Sequence, residues 1–393
     1  MKLVIKLKNT PVSFPVTKVS CQHIEAGFYF ILTVARWKIK GRIVFWCYHV
    51  MILPAKHKKY PDKLTIMLTE HALLELLSDG YFHSGTELGE KLKISRAAIW
   101  KQIRQLEILL GLDVQAVQGR GYRLAHPIEL LEEKVIYDAL SRQSKALLGM
   151  LEVHLQLDST NRYLMQHGIR DNKSGAHVVL AEMQTAGRGR RGKHWVSPFA
   201  QNIYLSLMWQ FTDATLNLSG VSLATGVAVI RALNSLGISG LQLKWPNDIY
   251  CQGKKLAGIL LELRGEAGGR CNMVVGLGLN VNMSAHDAAE IDQAWTDIRS
   301  VTQRGFSRNQ LVSAILSELL PCMALYSQQG LTPFLKDWEQ HDMLKDKPVT
   351  LLMHEHQREG VAHGVNEQGA LLFEYEGKIE PLYAGELSLR LNQ

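Results

Sequence analysis

The spacing of apolar residues changes period several times along the chain, and each change marks a unit. From Met67, leucines at 68, 73, 76 and 77 follow helical spacing until Gly80 stops the run. Ser84 with Glu87 forms a capping-box pattern for a second short helix through Leu92. Ser95 is an N-cap for a third, with apolar positions Ala98, Ile99, Ile103, Leu106 and Leu110 and Gly111 beyond its end. Two β-like runs follow, Asp113–Val117 and Tyr122–Leu124, joined by Gln118-Gly119-Arg120-Gly121. Three helices and a hairpin predict a winged helix-turn-helix.

Pro127–Leu140 predicts a connecting helix, with Pro127 near its start. Beyond it, Val178–Gln184 and Ile203–Trp209 predict strands, Gly220–Leu236 an apolar helix, and Leu241–Trp245, Lys255–Leu263 and Met273–Asn282 further strands. Ser307 caps a long helix in which Pro321 predicts a kink or a split. From Lys347 only strand-like runs remain: Val349–Met353, Glu359–Val365, Ala370–Tyr375 and Ile379–Tyr383. Glycines 364, 369 and 377 mark the bends, which predicts a small β-barrel.

Residues 1–66 read differently. Their apolar runs, Ala26–Ala35 and Ile43–Leu53, flank the basic stretch Arg36–Arg42, show weak periodicity and are too short to span a bilayer. Nothing resembles a signal-peptide cleavage site. The expectation is a poorly patterned basic extension, with the native protein starting at Met67; the alternative is a basic, aromatic arm that touches membrane or nucleic acid. The layout expected is a multidomain α+β chain: the extension 1–66, a winged helix-turn-helix over 67–128, a linker helix over 129–146, an α/β domain over 147–343 and a small barrel over 344–393.

Charge then changes the picture. The net charge of +7 suggests nucleic-acid binding, but residues 1–66 hold 12 Lys and Arg against Glu25 and Asp62, so the rest of the chain carries −3. The segment 67–125 is neutral, with seven basic and seven acidic residues. DNA affinity must therefore come from a local face: Ser95, Arg96, Lys101 and Arg104 on the recognition helix, with Arg120 and Arg123 in the wing. Arg96 suits a guanine edge, and Lys101 and Arg104 suit phosphates. A winged helix used only for protein interaction is the alternative. Five cysteines (21, 47, 251, 271 and 322) form no C-x-x-C pair, which argues against a disulfide framework or zinc site and for a reducing, cytoplasmic setting. Cys251 reads as a buried structural thiol. No apolar stretch reaches the ~18 to 20 residues of a membrane span.

The densest cationic cluster outside the extension is Gly187-Arg188-Gly189-Arg190-Arg191-Gly192-Lys193-His194-Trp195. It nearly fits a P-loop, but His194 stands where Ser or Thr would hold Mg²⁺, and Pro198 and a strand follow instead of a helix. The glycines and arginines still suit an anion, on a loop that can stay disordered until a ligand neutralises it. Lys244-Trp245-Pro246-Asn247-Asp248 ends a strand in a turn, and Lys255 lies seven residues beyond Asp248, so a hairpin could gather all three charges. Asp158-Ser159-Thr160-Asn161 alone is an ordinary helix N-cap.

Together with Ala257-Gly258-Ile259-Leu260 and Gly276-Leu277-Gly278-Leu279-Asn280, these motifs resemble the bacterial bifunctional biotin protein ligase and biotin operon repressor family, from about Met67 to the C-terminus. The helix-turn-helix segment His83–Ile103 matches the repressor type. The resemblance implies a mixed-sheet α/β catalytic domain, a C-terminal SH3-like barrel, and activation of biotin with Mg²⁺-ATP to biotinyl-5′-AMP. Biotin then passes to a lysine of the biotin carboxyl carrier protein of acetyl-CoA carboxylase. A homodimer of the adenylate-loaded protein would repress biotin-synthesis genes at operator DNA, in the cytoplasm and without a membrane.

By the same resemblance, Ser159, Thr160 and Asn161 line the biotin pocket and Gln184 closes it. Arg188, Gly189 and Arg190 fold over biotin and phosphate, and Lys255 meets the biotin carboxyl. Trp295 stacks on adenine, and Asn280, Lys244 and Asn247 lie on the adenylate side. Catalysis would rest on Arg188, Arg190, Lys255 and Mg²⁺ cancelling anionic repulsion, with Asp248 binding or deprotonating the acceptor amine. No protein nucleophile and no protein metal site are expected. Lys193 departs from the arginine usual there, replacing a fork with a point charge. The rivals are a lipoate–protein ligase and a biotin-sensing repressor without ligase activity.

Overall fold

The computed structural model describes residues 3–7, 10–14, 28–39, 42–54, 63–168, 175–211, 218–265, 271–353, 356–383 and 388–391. Two compact units result, Met1–Thr69 and Glu70–Gln393. In the first, β1 (Leu3–Leu7) pairs antiparallel with β2 (Thr10–Phe14), and β3 (Phe28–Ile39) with β4 (Arg42–Pro54). The segment expected to be unpatterned is therefore built of strands; its β-branched and aromatic content favours extended pairing even where alternation is poor. The first helix, α1 (Lys63–Leu77), begins before Met67, which lies inside it instead of opening it.

The predicted winged helix-turn-helix is present. α2 (Gly85–Leu92) and α3 (Arg96–Leu110) follow α1, then the hairpin β5 (Val114–Val117) and β6 (Gly121–Leu124). Ser84 Oγ accepts the Glu87 N–H and Ser95 Oγ the Ala98 N–H. The capping box is one-sided, because the Glu87 carboxylate pairs with Lys91 at 2.7 Å and His83 at 3.4 Å. Gly121, at φ 103°, lets the wing lie against the start of α2: a Cβ there would sit 2.0 Å from the His83 carbonyl. The buried core of this domain, Leu73, Leu74, Leu77, Leu88, Ile99, Ile103 and Leu106, also takes in Phe199 from the following domain.

The connector departs from expectation. Residues 127–132 are not helical, and two short helices, α4 (Glu133–Ala139) and α5 (Arg142–Leu147), replace the single one. Distant acceptors claim the backbone donors: Leu131 N–H goes to Glu182 Oε1 at 2.5 Å and Glu132 N–H to Asn309 Oδ1 at 2.8 Å. Glu182, 1% exposed, is neutralised by Arg308, 3% exposed, at 2.7 Å. Removing either partner would strand a buried charge.

The central domain runs β7 (Leu148–His154), α6 (Thr160–His167), β8 (Ala176–Ala181), β9 (Ile203–Phe211), α7 (Val221–Ser235), β10 (Leu241–Lys244), β11 (Asp248–Cys251), β12 (Lys254–Gly265), β13 (Cys271–Leu279), α8 (Ile298–Thr302), α9 (Arg308–Gln329) and α10 (Leu335–His341). The sheet order is β10-β11-β12-β13-β9-β8-β7, with β7 and β8 parallel and every other pair antiparallel. Alternation sorts the strands: Val178, Leu205, Leu207 and Val275 join the core with α7 and α9, whereas Val179, Met208 and Val274 pack with Leu164 of α6 on the other face.

Residues 218–235 and Arg308–Gln329 have the length and hydropathy of membrane spans, yet their apolar residues are packed in the core. One helix runs unbroken through Pro321, where a kink or split was expected. A proline cannot donate to the carbonyl four residues back, and the buried Ser144 hydroxyl of α5 donates to that carbonyl, Ser317 O, at 3.2 Å instead.

The C-terminal strands are β14 (Lys347–Met353), β15 (His356–Val365), β16 (Leu371–Tyr375), β17 (Lys378–Leu382) and an unforeseen fifth, β18 (Ser388–Leu391). They form an antiparallel sheet in the order β17-β16-β15-β14-β18, and no pairing between β17 and β18 closes it among the described residues. The expected C-terminal β-domain is present as this antiparallel sheet. Its apolar residues Val349, Leu351, Ala362, Leu371 and Phe373 are continuous with the central core. The buried indole of Trp245 donates to Gly369 O at 3.1 Å across this junction.

Candidate active site

The site lies on the α6 face of the sheet, where three glycines make room. A Cβ at Gly276 of β13 would fall 2.2 Å from Asn161 Oδ1, and one at Gly278 2.4 Å from the Trp195 ring. At Gly258 of β12 it would be 3.1 Å from the same ring. Strand alternation puts all three on one face, opposite Val275 and Leu277 in the core. The result is a cavity of about 350 Å³ floored by backbone.

Its far wall is the start of α6, capped by Ser159. Gln184 Oε1 accepts the Thr160 N–H at 2.9 Å and lies 3.2 Å from Thr160 Oγ1, while its amide donates to Ser197 Oγ at 3.1 Å. Asn161 Nδ2 donates to Glu262 Oε2 at 2.9 Å, and its Oδ1 lies 2.6 Å from the buried Ser206 hydroxyl. Both amide side chains are therefore fixed in orientation, with little freedom to flip.

The roof is the arginine–glycine loop, which is folded as a tight hairpin-like turn. Trp195 N–H bonds Gly187 O at 3.0 Å, and Gly189 N–H bonds Lys193 O at 2.7 Å. Arg191 and Gly192 turn the chain with φ of 59° and 71°. Arg188 pairs with Glu262 at 2.9 Å. Arg190 donates to Asn247 Oδ1 at 3.1 Å. Burial lowers the Arg190 pKa, and Asp248 opposes the shift; a guanidinium remains charged under these conditions.

The third wall is the turn from β10 to β11. Asn247 Nδ2 donates to Ile259 O at 2.6 Å, and Ser222 Oγ donates to Pro246 O at 2.9 Å, so the turn is held from both sides. Lys255 Nζ lies 2.8 Å from Asp248 Oδ1 and 5.6 Å from the centre of the Trp195 ring. Lys244 lies 5.1 Å from the Tyr250 ring, whose phenol is pushed up to about 12 by burial and by Asp248. Among the described residues, Asp248 is the carboxylate lining the cavity, against Arg188, Arg190, Arg191, Lys193, Lys244 and Lys255, with Glu262 paired to Arg188 at its edge. Such a surface favours an anion.

The cavity thus collects Ser159, Thr160, Asn161, Gln184, Arg188, Gly189, Arg190, Lys244, Asn247, Asp248 and Lys255. Trp295 and Asn280 line an adjoining cavity of about 260 Å³, which shares Lys193, His194, Trp195 and Lys255 with the first. The Asn280 amide is occupied by Thr296 O at 3.0 Å, and Lys255 bonds the strap around Trp295 through Ala294 O and Thr296 N–H, at 3.0 and 2.9 Å. Sequence reasoning missed Glu262, Ser206 and the placement of Trp195. The last has a buried indole N–H with no partner among the described residues. Cys251 is buried and inert as expected, its pKa raised by burial; Cys21 and the Cys47 side chain lie outside the described residues.

On the winged helix, the Ser95 hydroxyl is taken up by the cap, Arg104 pairs with Glu107 at 3.1 Å, and Arg96 lies beside Gly85 on α2. Arg120 and Arg123 lie over the Phe82 ring, 4.2 and 4.6 Å from its centroid. Lys101 is exposed.

Comparison with known proteins places these features in context. Residues 153–280 match the biotin/lipoate A/B protein ligase family, and residues 69–123 match an HTH domain family. The bifunctional ligase/repressor BirA of Escherichia coli strain K12 is 41% identical over 318 residues, covering 81% of this chain and 96% of that protein. BirA of Bacillus subtilis strain 168 is 28% identical over 320 residues, 81% of this chain and 97% of the relative. Among solved structures, the biotin protein ligase from Aquifex aeolicus in complex with biotin and ATP matches with a TM-score of 0.54 and 28% identity, over 62% of this chain and 99% of that one.

Proposed function

The chain belongs to the bifunctional ligase/repressor family, and from that premise we propose that the cavity beneath the arginine loop joins biotin to ATP as biotinyl-5′-adenylate and passes biotin to a lysine of the carboxyl carrier protein of acetyl-CoA carboxylase. The observation that carries this reading is the convergence of the arginine loop, the Lys244–Asp248 turn and the start of α6 on one strongly cationic cavity. Asn161, Thr160 and Gln184 are fixed donors and acceptors for the polar head group of biotin, and the glycine floor accommodates its apolar chain.

In the first step a biotin carboxylate oxygen attacks the α-phosphorus, and the bond to the β-phosphate breaks to release pyrophosphate. Two anions must approach each other, so Lys255, Arg190 and Arg188 screen their charges. In the second step the acceptor amine attacks the acyl carbon and expels AMP. Asp248, held by Lys255 at 2.8 Å, accepts or orients the proton the amine loses. Adenine stacks on Trp295 in the adjoining cavity, with Asn280 bracing the strap and Lys244 and Asn247 on the phosphate side. With Asp248 as the carboxylate of the cavity, the donor set suits Mg²⁺ held mainly by the substrate's phosphates and water. When bound, it supplies further neutralisation of the transferring phosphate.

The winged helix is the repressor module. Adenylate-loaded chains pair as a homodimer in the cytoplasm, so that two recognition helices reach two half-sites of operator DNA, with Lys101, Arg104, Arg96 and Arg120 on the DNA side. The open C-terminal sheet corresponds to an SH3-like module docked on the catalytic domain.

The deciding experiment is ligation with biotin, ATP and a carrier domain, run beside lipoate. Biotin transfer is expected; transfer of lipoate alone, or biotin binding without adenylate, overturns the reading. Gly276→Ala is expected to raise the biotin Kd at least about tenfold by displacing Asn161, measured by titration calorimetry; unchanged affinity would refute the role of Asn161. Deleting residues 1–66, which lie in the other compact unit, is expected to leave the rate of carrier biotinylation within about twofold, because residues 70–393 hold every site group on their own.

A further inference from the structure

α3 turns Ile99, Ile103, Leu106 and Leu110 inward. The 3.6-residue repeat then sends Ala97, Trp100, Lys101, Arg104 and Ile108 outward, and all five are exposed. Trp100 is 54% exposed, and the Arg104 guanidinium sits 6.0 Å from its ring centroid. The indole contributes nothing to the domain core, which closes around other residues. It lies instead on an arc that carries two cations and the small Ala97, whose methyl lets the helix backbone approach a partner closely. Of the polar candidates for reading bases, the Ser95 hydroxyl caps its own helix, whereas Arg96 is exposed and passes beside Gly85.

We propose that Trp100 is a sequence-reading residue of the repressor, its ring packing against the 5-methyl group of a thymine in the major groove. This rests on the repressor reading above and adds to it a residue that carries specificity. Apolar contact with that methyl is one of the few ways a side chain without a polar match distinguishes T·A from C·G. The neutrality of residues 67–125 points the same way. With seven charges of each sign, phosphate attraction is weak, and a salt-insensitive contact has more of the discrimination to supply. The adjacent Lys101, with Arg104 shared between the indole and Glu107 at 3.1 Å, gives the arc the charge that suits DNA.

The test is selection from random duplexes of about 40 base pairs, enough for two half-sites, by the full chain with biotin and ATP. Wild-type protein is expected to enrich a site with a thymine in each half. Trp100→Ala should lose preference at that position and bind the enriched site about tenfold more weakly, with unchanged affinity for scrambled duplex. Plots of log affinity against log salt should stay parallel for Trp100→Ala and flatten by about one charge for Lys101→Ala. Trp100→Phe, which keeps an aromatic face, should retain the preference and guards against misfolding of the alanine variant.

Enrichment of the same site by Trp100→Ala overturns the proposal and leaves the repressor reading intact. Failure of the wild-type protein to enrich any site overturns both. A change in self-association without DNA, with unaltered selection, would assign Trp100 to a protein contact and also overturn it.

Discussion

Lys255→Met is expected to slow biotinyl-adenylate formation by about 10²- to 10³-fold, read as biotin-dependent pyrophosphate release, while the melting temperature moves little. The size follows from position. Lys255 Nζ lies between the two cavities, 2.8 Å from Asp248 and above the Trp195 ring. Its removal takes away a cation where a carboxylate and a phosphate must meet, and also exposes the Asp248 charge to both of them. The double variant Lys255→Met/Asp248→Asn should therefore adenylate faster than Lys255→Met alone, because the stranded carboxylate is gone. Acyl transfer to the carrier lysine should not recover if Asp248 has the role proposed for it in that step. A single variant with the parent rate, or a double variant no better than the single, would refute the pairing as a catalytic device.

The second large effect belongs to Arg190. Arg190→Gly should release preformed biotinyl-adenylate about 10- to 100-fold faster, the value of a charge-assisted hydrogen bond of ~1.5–3 kcal/mol. Biotin alone should bind nearly as before, because its proposed head-group partners Asn161, Thr160 and Gln184 lie on the opposite wall. The bond from Arg190 to Asn247 ties the roof to the β10–β11 turn, so the variant loses both a phosphate ligand and a latch. Equal dissociation of labelled adenylate from variant and parent would show that the loop closes without this arginine.

How much of this was legible in the sequence depended on how local the cause was. The winged helix was readable because Ser84, Ser95, Gly80 and Gly111 act within a turn of themselves. The α6 cap at Ser159 and the small residues at 258, 276 and 278 were visible for the same reason, although their purpose was not. Asn161 and Glu262 are a hundred positions apart and meet only when α6 crosses β12; no spacing rule encodes that. β11 was lost inside the turn at Asp248, too short to show alternation. Where local rules failed, a distant group had overridden them: Glu182 unwound the connector by taking the Leu131 donor, and Ser144 replaced the donor Pro321 lacks. Of the C-terminal domain, four strands were readable from their alternation, and the fifth, Ser388–Leu391, was too short to show any.

Phe199 stands four residues after Trp195, and its ring is buried with the leucines of the winged helix. This contact ties the DNA reader to the catalytic domain a few residues beyond the arginine loop. A contact of this kind restricts the reader's rotation before it meets DNA. In the proposed homodimer, half-site spacing would follow from this packing, and a spacer altered by half a helical turn would put one reader on the wrong side of the duplex.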